Sequence, residues 1–205
     1  MKIGPKYKIA RRLGAPVFEK TQTQKYAISE SKKGTRTVKK HGGRARSDYG
    51  VQMLEKQKAR YYYLVTEKQF GNYVKAALSK KGAKAVPALY ELLERRLDNT
   101  VLRAGFAHTR PLARQIVSHG HITVNGKRVT IPSMHVKEGD VIAIRPGSQS
   151  AKVFSVLDER FKEIKVPSWL RLDAAKKEAT VQGAPQIQNA DLLFDLNAVF
   201  EFYSR

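Results

Sequence analysis

Arg110, Arg114 and Ser118 recur every fourth residue, with Gln115 beside them, in the stretch RPLARQIVSHGHITVNGKRV at 110–129. On a helix that spacing gathers all three on one face. A guanidinium presents a planar fork of donors that matches phosphate oxygens. The chemistry on offer is therefore anion binding. Arg96 and Arg103, seven apart, share a face of the preceding helical stretch. Other chemistry finds less support. His119 and His121 flank a glycine at a helix end, and no carboxylate stands at a ligand spacing to them or to His108 and His135. Asp158 and Glu159 lie in a charge-mixed stretch with nothing convergent nearby. No phosphate-binding glycine loop, nucleotide fingerprint or nucleophile motif occurs. The expectation is a protein with no catalytic residue, no metal and no cofactor.

Several elements must position these cations. Thr109 is an N-cap and Pro111 fits the first turn of a helix that Gly120 ends. Leu112, Ala113, Ile116 and Val117 face inward, and Arg110 and Arg114 face away. Asn125-Gly126 between extended runs signals a two-residue hairpin. That turn pairs Val124 with Lys127, Thr123 with Arg128, and Ile122 with Val129. Ile122 and Val129 then share the buried face, Thr123 and Arg128 the outer one. EGDVIAIR (138–145) supplies a turn and a further strand. Upstream, Pro87 opens a helix whose core row is Leu89, Leu93, Leu97 and Val101, and Gly105 stops it. Asp98 either caps a restarted helix or faces solvent within a longer one. The two helices joined by GFAH form a helix-turn-helix-like pair.

Outside this region, Ser47 is an N-cap for a helix with Val51, Leu54, Tyr61 and Val65 close to one face and Lys56 and Arg60 off it. Thr66 with Gln69 makes a capping box. Phe70, Tyr73, Val74, Ala77 and Leu78 form the stripe of the helix that follows, ended by Gly82. VPSWLRLD (166–173) has extended character, with its Trp packed on the sheet. AKKEATVQGAPQIQ reads as polar and turn-rich. Leu192, Leu196, Val199, Phe200 and Tyr203 have helical spacing and pack back on 47–86. Residues 1–46 hold too few bulky apolar groups to offset their ordering entropy alone and are expected to order only on a partner. The fold class is α+β: N-terminal helices plus a C-terminal helix form a helical domain, with an inserted module of two short helices on a small, mainly antiparallel sheet. The expected organisation is a basic arm at 1–46, a helical domain from 47–86 and 184–205, and the inserted module at 87–183.

Charge indicates the partner. The chain of 205 residues carries 39 Lys and Arg against 18 Asp and Glu, a net charge of +21. Residues 1–46 contribute +12 (14 basic, 2 acidic), 47–147 contribute +9 (17 and 8), and 148–205 are neutral (8 of each). A polyanion that releases counterions is the usual partner of such a field. No apolar run approaches the roughly 20 residues that cross a bilayer, and no basic amphipathic helix of membrane-lying type occurs. There is no cysteine, hence no disulfide framework and no thiolate metal site. A DNA regulator built on the helix pair would need a dimer seam, and none is evident. An RNA-modifying enzyme would need a catalytic domain, and the residues after the module are too few for one.

The stretch RLDNTVLRAGFAHTRPLARQIVSHGHITVNGKRVTIPSMHVKEGDVIAIRP resembles the RNA-binding module of the small ribosomal subunit protein four family. IGPKYKIARRLG, SDYGVQMLEKQKARYYY, PSWLRLD and the terminal EFYSR are similar to the same family, in order and over nearly the whole chain. The resemblance implies a ribosomal protein that binds small-subunit rRNA directly and early in assembly, near a multi-helix junction of the five-prime domain. It implies contact with small-subunit proteins five and three, the former bearing on decoding accuracy. It implies a monomer within a cytoplasmic ribosome, with a plastid one not excluded. Carried onto this sequence, the module's RNA contacts are Arg96, Arg103, Thr109, Arg110, Arg114, Gln115, His119, Lys127 and Arg128. The early helix adds Ser47, Tyr49, Lys56 and Arg60, and the arm adds Arg11, Arg12, Arg44 and Arg46. Some members bind zinc through cysteines in the arm, and this cysteine-free chain resembles the zinc-free form. Where members often carry Pro-Gly before His-Gly, this chain has Lys39, Lys40, His41, Gly42 and Gly43.

Overall fold

In the computed structural model, which describes residues 3–34, 47–79, 85–187 and 192–204, the chain divides into two units. One comprises residues 1–78 and 188–205, the other 79–187.

The first unit is helical among its described residues. Helices α1 (Lys6–Leu13) and α2 (Gln24–Gly34) occupy the region expected to order only on a partner. Ile9, Leu13, Val17 and Phe18 are buried with Leu64, and Leu54 and Tyr61 pack on them. The few apolar groups of this segment thus find their partners in residues 54–64, far along the chain, which local composition does not reveal. Helix α3 (Asp48–Tyr62) starts at Ser47, whose side chain accepts the Gly50 N–H at 3.3 Å. Helix α4 (Glu67–Leu78) starts with the expected capping box: Gln69 N–H donates to Thr66 Oγ1 at 3.3 Å, and Thr66 N–H to Gln69 Oε1 at 3.4 Å.

Helix α9 (Leu196–Tyr203), capped by Asp195, lies along α3 and reaches α4, as its apolar spacing predicts. Its seat corrects the reading of α3. The buried face is Gln52, Lys56, Ala59 and Tyr62, whereas Val51 is 45% exposed. Gln52 Nε2 donates to Glu201 at 2.8 Å. Lys56 Nζ sits 4.3 Å from the Phe202 ring centroid and 2.7 Å from Glu67. A long cationic stem can cover apolar surface while its head finds a carboxylate, so Lys56 belongs to the core face. Tyr203 stacks near Phe70 at 6.3 Å and donates its hydroxyl to Glu67 at 2.9 Å.

The second unit opens with α5 (Ala85–Glu94) and α6 (Leu97–Arg103). Of the two readings of this region, one long helix or one restarted near Asp98, the second is found: the helix is broken at Arg95–Arg96, where Arg96 is extended (φ −65°, ψ 135°) and bridges His135. Leu97 N–H donates to Met134 O at 2.8 Å, Asp98 N–H to Pro132 O at 3.0 Å and Val136 N–H to Arg95 O at 2.9 Å. Backbone pairing with a distant loop thus replaces one turn of helix without any glycine or proline to signal it.

Next come α7 (Arg110–Ser118), the hairpin β1 (Ile122–Val124) and β2 (Lys127–Val129), β3 (Val141–Ile144), α8 (Leu157–Glu163), and β4 (Leu170–Asp173) with β5 (Glu178–Val181). Pairing Ile122↔Val129, Thr123↔Arg128 and Val124↔Lys127 is the register expected from the Asn-Gly turn. Asn125 (φ 51°) and Gly126 (φ 75°) adopt the left-handed backbone such a turn requires. The sheet is antiparallel in the order β2-β1-β3-β5-β4. β5, read as turn-rich, is an inner strand whose inward residues are only Ala179 and Val181. Thr123, placed outside by alternation, is also buried, and its hydroxyl donates to Ala143 O at 3.3 Å. The inner faces of α6 and α7 (Leu97, Val101, Ala113, Ile116 and Val117) pack with Ile122, Ile142, Ile144, Trp169 and Val181 in one core.

Candidate nucleic-acid interface

Thr109 begins α7 by accepting the Leu112 N–H at 3.4 Å, and Pro111 occupies its first turn. The helix is strongly two-sided: Ala113, Ile116 and Val117 are buried, while Gln115, Ser118 and His119 are exposed. The arginines at 110 and 114 do not project freely from this outer face. Arg114 lays Nε and Nη2 on Asp98 Oδ2 at 2.9 and 2.7 Å. Arg96 grips the same carboxylate from the other side, Nε to Oδ1 at 3.1 Å and Nη2 to Oδ2 at 2.8 Å. Asp98 side-chain exposure is 6%, that of Arg96 2% and that of Arg114 29%. The question left open for Asp98 is thereby answered: it sits in the first turn of a restarted helix, where a negative charge is favourable, and clamps two guanidinium groups.

A second network lies beside it. Buried Glu94 receives Arg103 through two bonds of 2.9 Å, and Asn99 Nδ2 at 2.8 Å. Asn99 Oδ1 in turn accepts from Arg110 Nη2 at 3.3 Å. Arg110 is buried, which corrects the outward direction read from its helical spacing. Holding each carboxylate in a bidentate grip fixes the planes of the guanidinium groups before any ligand arrives.

Beyond the end of α7 the chain turns at Gly120 (φ 72°). A Cβ there would come within 2.7 Å of the Arg128 guanidinium carbon, so glycine makes room for Arg128 to lie across the turn. Arg128 Nη2 donates to His119 O at 3.4 Å, and both Arg128 and Lys127 are exposed. His121 lies 3.0 Å from Ser148 Oγ through Nδ1. Burial, then the charges of His119, Arg145 and Arg128, hold its imidazole below the ordinary value of 6.5. Among the described residues, no group of three or more His, Cys, Asp or Glu is arranged to hold a metal ion, and no helix is long and apolar enough to cross a membrane.

The expected binding residues therefore divide. Arg96, Arg103, Arg110, Arg114, Thr109, Gln115, His119, Lys127 and Arg128 all lie in the second unit. Arg96, Arg103, Arg110 and Arg114 are drawn into two adjoining networks by Asp98, Glu94 and Asn99. Those three polar residues were not assigned a site role from sequence, although two acids and an amide inside ERRLDN (94–99), amid so many cations, mark the place. In the first unit, Ser47 caps α3, Tyr49 is 49% exposed, and Arg60 rests over the Tyr61 ring at 4.6 Å. Lys56 is withdrawn under Phe202. Arg11 is ion-paired with Glu30 and bonded to Ser29, whereas Arg12 is exposed. Arg44 and Arg46 fall outside the described residues.

This arrangement can seat phosphate oxygens on oriented cations, and relatives of the chain carry a matching name. The family model described as S4 domain matches residues 95–142, and that described as Ribosomal protein S4/S9 N-terminal domain matches residues 1–94. A small ribosomal subunit protein uS4 from Roseiflexus castenholzii is 45% identical, with 99% of this chain and 98% of the relative covered. Those from Herpetosiphon aurantiacus and Acinetobacter baumannii are 42% and 40% identical, covering 98% and 99% of this chain and 98% of each relative. The identity extends across both units, and the chain belongs to the small ribosomal subunit protein uS4 family.

Proposed function

We propose that this protein is a structural, non-enzymatic constituent of the small ribosomal subunit that binds small-subunit rRNA directly. It does so early in assembly, near the five-prime domain junction, and touches proteins five and three, so bearing on decoding accuracy. Residues 87–183 act as the RNA-binding module, 47–86 with 184–205 as the helical domain, and 1–46 as a basic extension. The observation that carries the reading is the pair of acid-centred networks. Asp98 and Glu94 hold Arg96, Arg114 and Arg103 in fixed orientations at the polar side of a helix pair. Partly exposed Arg114 and exposed Gln115, His119, Lys127 and Arg128 meet the RNA. Arg96 and Arg110, both buried, hold the surface in shape. A preorganised surface binds without losing side-chain entropy group by group.

The test is titration of the full chain with a five-prime-domain rRNA fragment across salt concentrations. Affinity should fall by roughly 0.7–0.9 log units per log unit of salt for each phosphate neutralised. Arg114→Ala should weaken binding and flatten the slope by about one phosphate's share. Wild-type affinity and slope in that variant would refute the assignment of Arg114.

A further inference from the structure

Arg128 and Arg145 differ from the arginines of the acid-centred networks. Among the described residues, neither has a carboxylate partner: Arg128 donates to His119 O at 3.4 Å and Arg145 Nε to Ser148 Oγ at 3.3 Å. The sheet places them on one face. The β1–β3 register places Ile122 against Ile144, and its next step joins Arg145 N–H to His121 O at 2.8 Å. The β1–β2 register puts Arg128 beside Thr123, and its guanidinium folds back over Gly120. The His119 and His121 rings stand 6.0 Å apart on either side of that glycine. Ser148, 3% exposed, anchors His121 and Arg145 from below, and Phe154 meets the His121 ring edge-to-face at 6.1 Å.

We propose that Arg128 and His119, which meet beside Gly120, and Arg145, which shares Ser148 with His121, form a seat for one RNA phosphodiester. This rests on the RNA-binding reading and adds to it His121, Arg145 and Ser148, which sequence reasoning left out. Two guanidinium groups without a counter-charge repel each other and are stabilised by an anion placed between them. Ser148 and the His119 carbonyl hold one donor of each arginine and leave the remaining guanidinium N–H groups to converge on oxygens. Burial first, and then the unneutralised field of the facing His119, Arg145 and Arg128, lower the affinity of His121 for protons. An arriving phosphate reverses that field, so the imidazole takes up a proton more readily in the complex.

The experiment uses the full chain and a five-prime-domain rRNA fragment. Affinity against salt is measured for wild type, Arg145→Gln and Arg145→Lys, and the His121 imidazole is titrated by NMR with and without RNA. Arg145→Gln should flatten the salt slope by about 0.7–0.9, Arg145→Lys should restore it, and RNA should raise the His121 pKa in wild type. An Arg145→Gln slope equal to a steep wild-type slope, or a His121 pKa unmoved by RNA, overturns the seat while RNA binding stands. If wild type shows no salt-dependent RNA binding, the reading falls and the seat with it.

Discussion

Replacing Asp98 by Asn separates two explanations of RNA affinity. The substitution removes one negative charge, taking the net charge from +21 to about +22. If affinity came from bulk charge alone, the variant would bind RNA slightly more tightly. The structure gives the opposite result. Asp98 neutralises Arg96, whose side chain is 2% exposed, and orients Arg114 through two bonds. Breaking a buried pair by removing one partner costs about 3–5 kcal/mol, because a charge is left uncompensated. An amide oxygen still accepts one hydrogen bond, so the expected loss lies at the low end of that range, about 3 kcal/mol. Urea unfolding of the full chain reads the stability, and titration with the rRNA fragment at two salt concentrations reads the affinity. A stability loss below about 1 kcal/mol, or tighter RNA binding at both salts, would refute the view that Asp98 organises the cationic surface.

Two further outcomes follow from single contacts. Gly120→Ala strains a backbone at φ 72° and drives a methyl into the Arg128 guanidinium. About 1–2 kcal/mol of stability should be lost through the left-handed backbone, with weaker RNA binding as Arg128 is displaced, and a thermal midpoint equal to wild type would contradict the backbone strain. Burial pushes the Glu67 carboxyl up, but hydrogen bonds from Lys56 and Tyr203 and the charges of Lys56 and Arg60 outweigh it, so its pKa lies below 4.5. A depressed carboxylate stabilises fully above its unfolded value, and the benefit disappears as pH falls through the folded value. The stability difference between wild type and Glu67→Gln should therefore be largest above about pH 5 and shrink toward acid; a difference independent of pH would rule out the Lys56–Glu67 contact as its source.

What could be read from the sequence was local. Asn125-Gly126 dictates its own backbone and with it the β1–β2 register. Ser47, Thr109 and the Thr66–Gln69 box mark three helix starts because their side chains satisfy N–H groups a few residues away. The apolar spacing after Asp195 is enough to bring α9 onto α3. What escaped depends on partners distant in sequence. Arg96 looks helical until Met134 and Pro132 take the backbone donors of Leu97 and Asp98. Lys56 looks solvated until Phe202 covers it and Glu67 neutralises it. β5 shows only Ala179 and Val181 to the core, and its strand character comes from lying between β3 and β4. For the site, the cations of the module were evident, but the acids that aim them were not. Asp98 and Glu94 acquire that role only because the helix breaks between them.

In the proposed function, folded small-subunit rRNA lies on the outer face of α7 and the adjoining hairpin. Ultraviolet cross-linking of the full chain to a five-prime-domain fragment, followed by peptide mapping, tests it most directly. Cross-links are expected at Arg114, Gln115, His119, Lys127 and Arg128, with none to Arg96, which is buried. A map whose cross-links all fall outside residues 95–148 would contradict it.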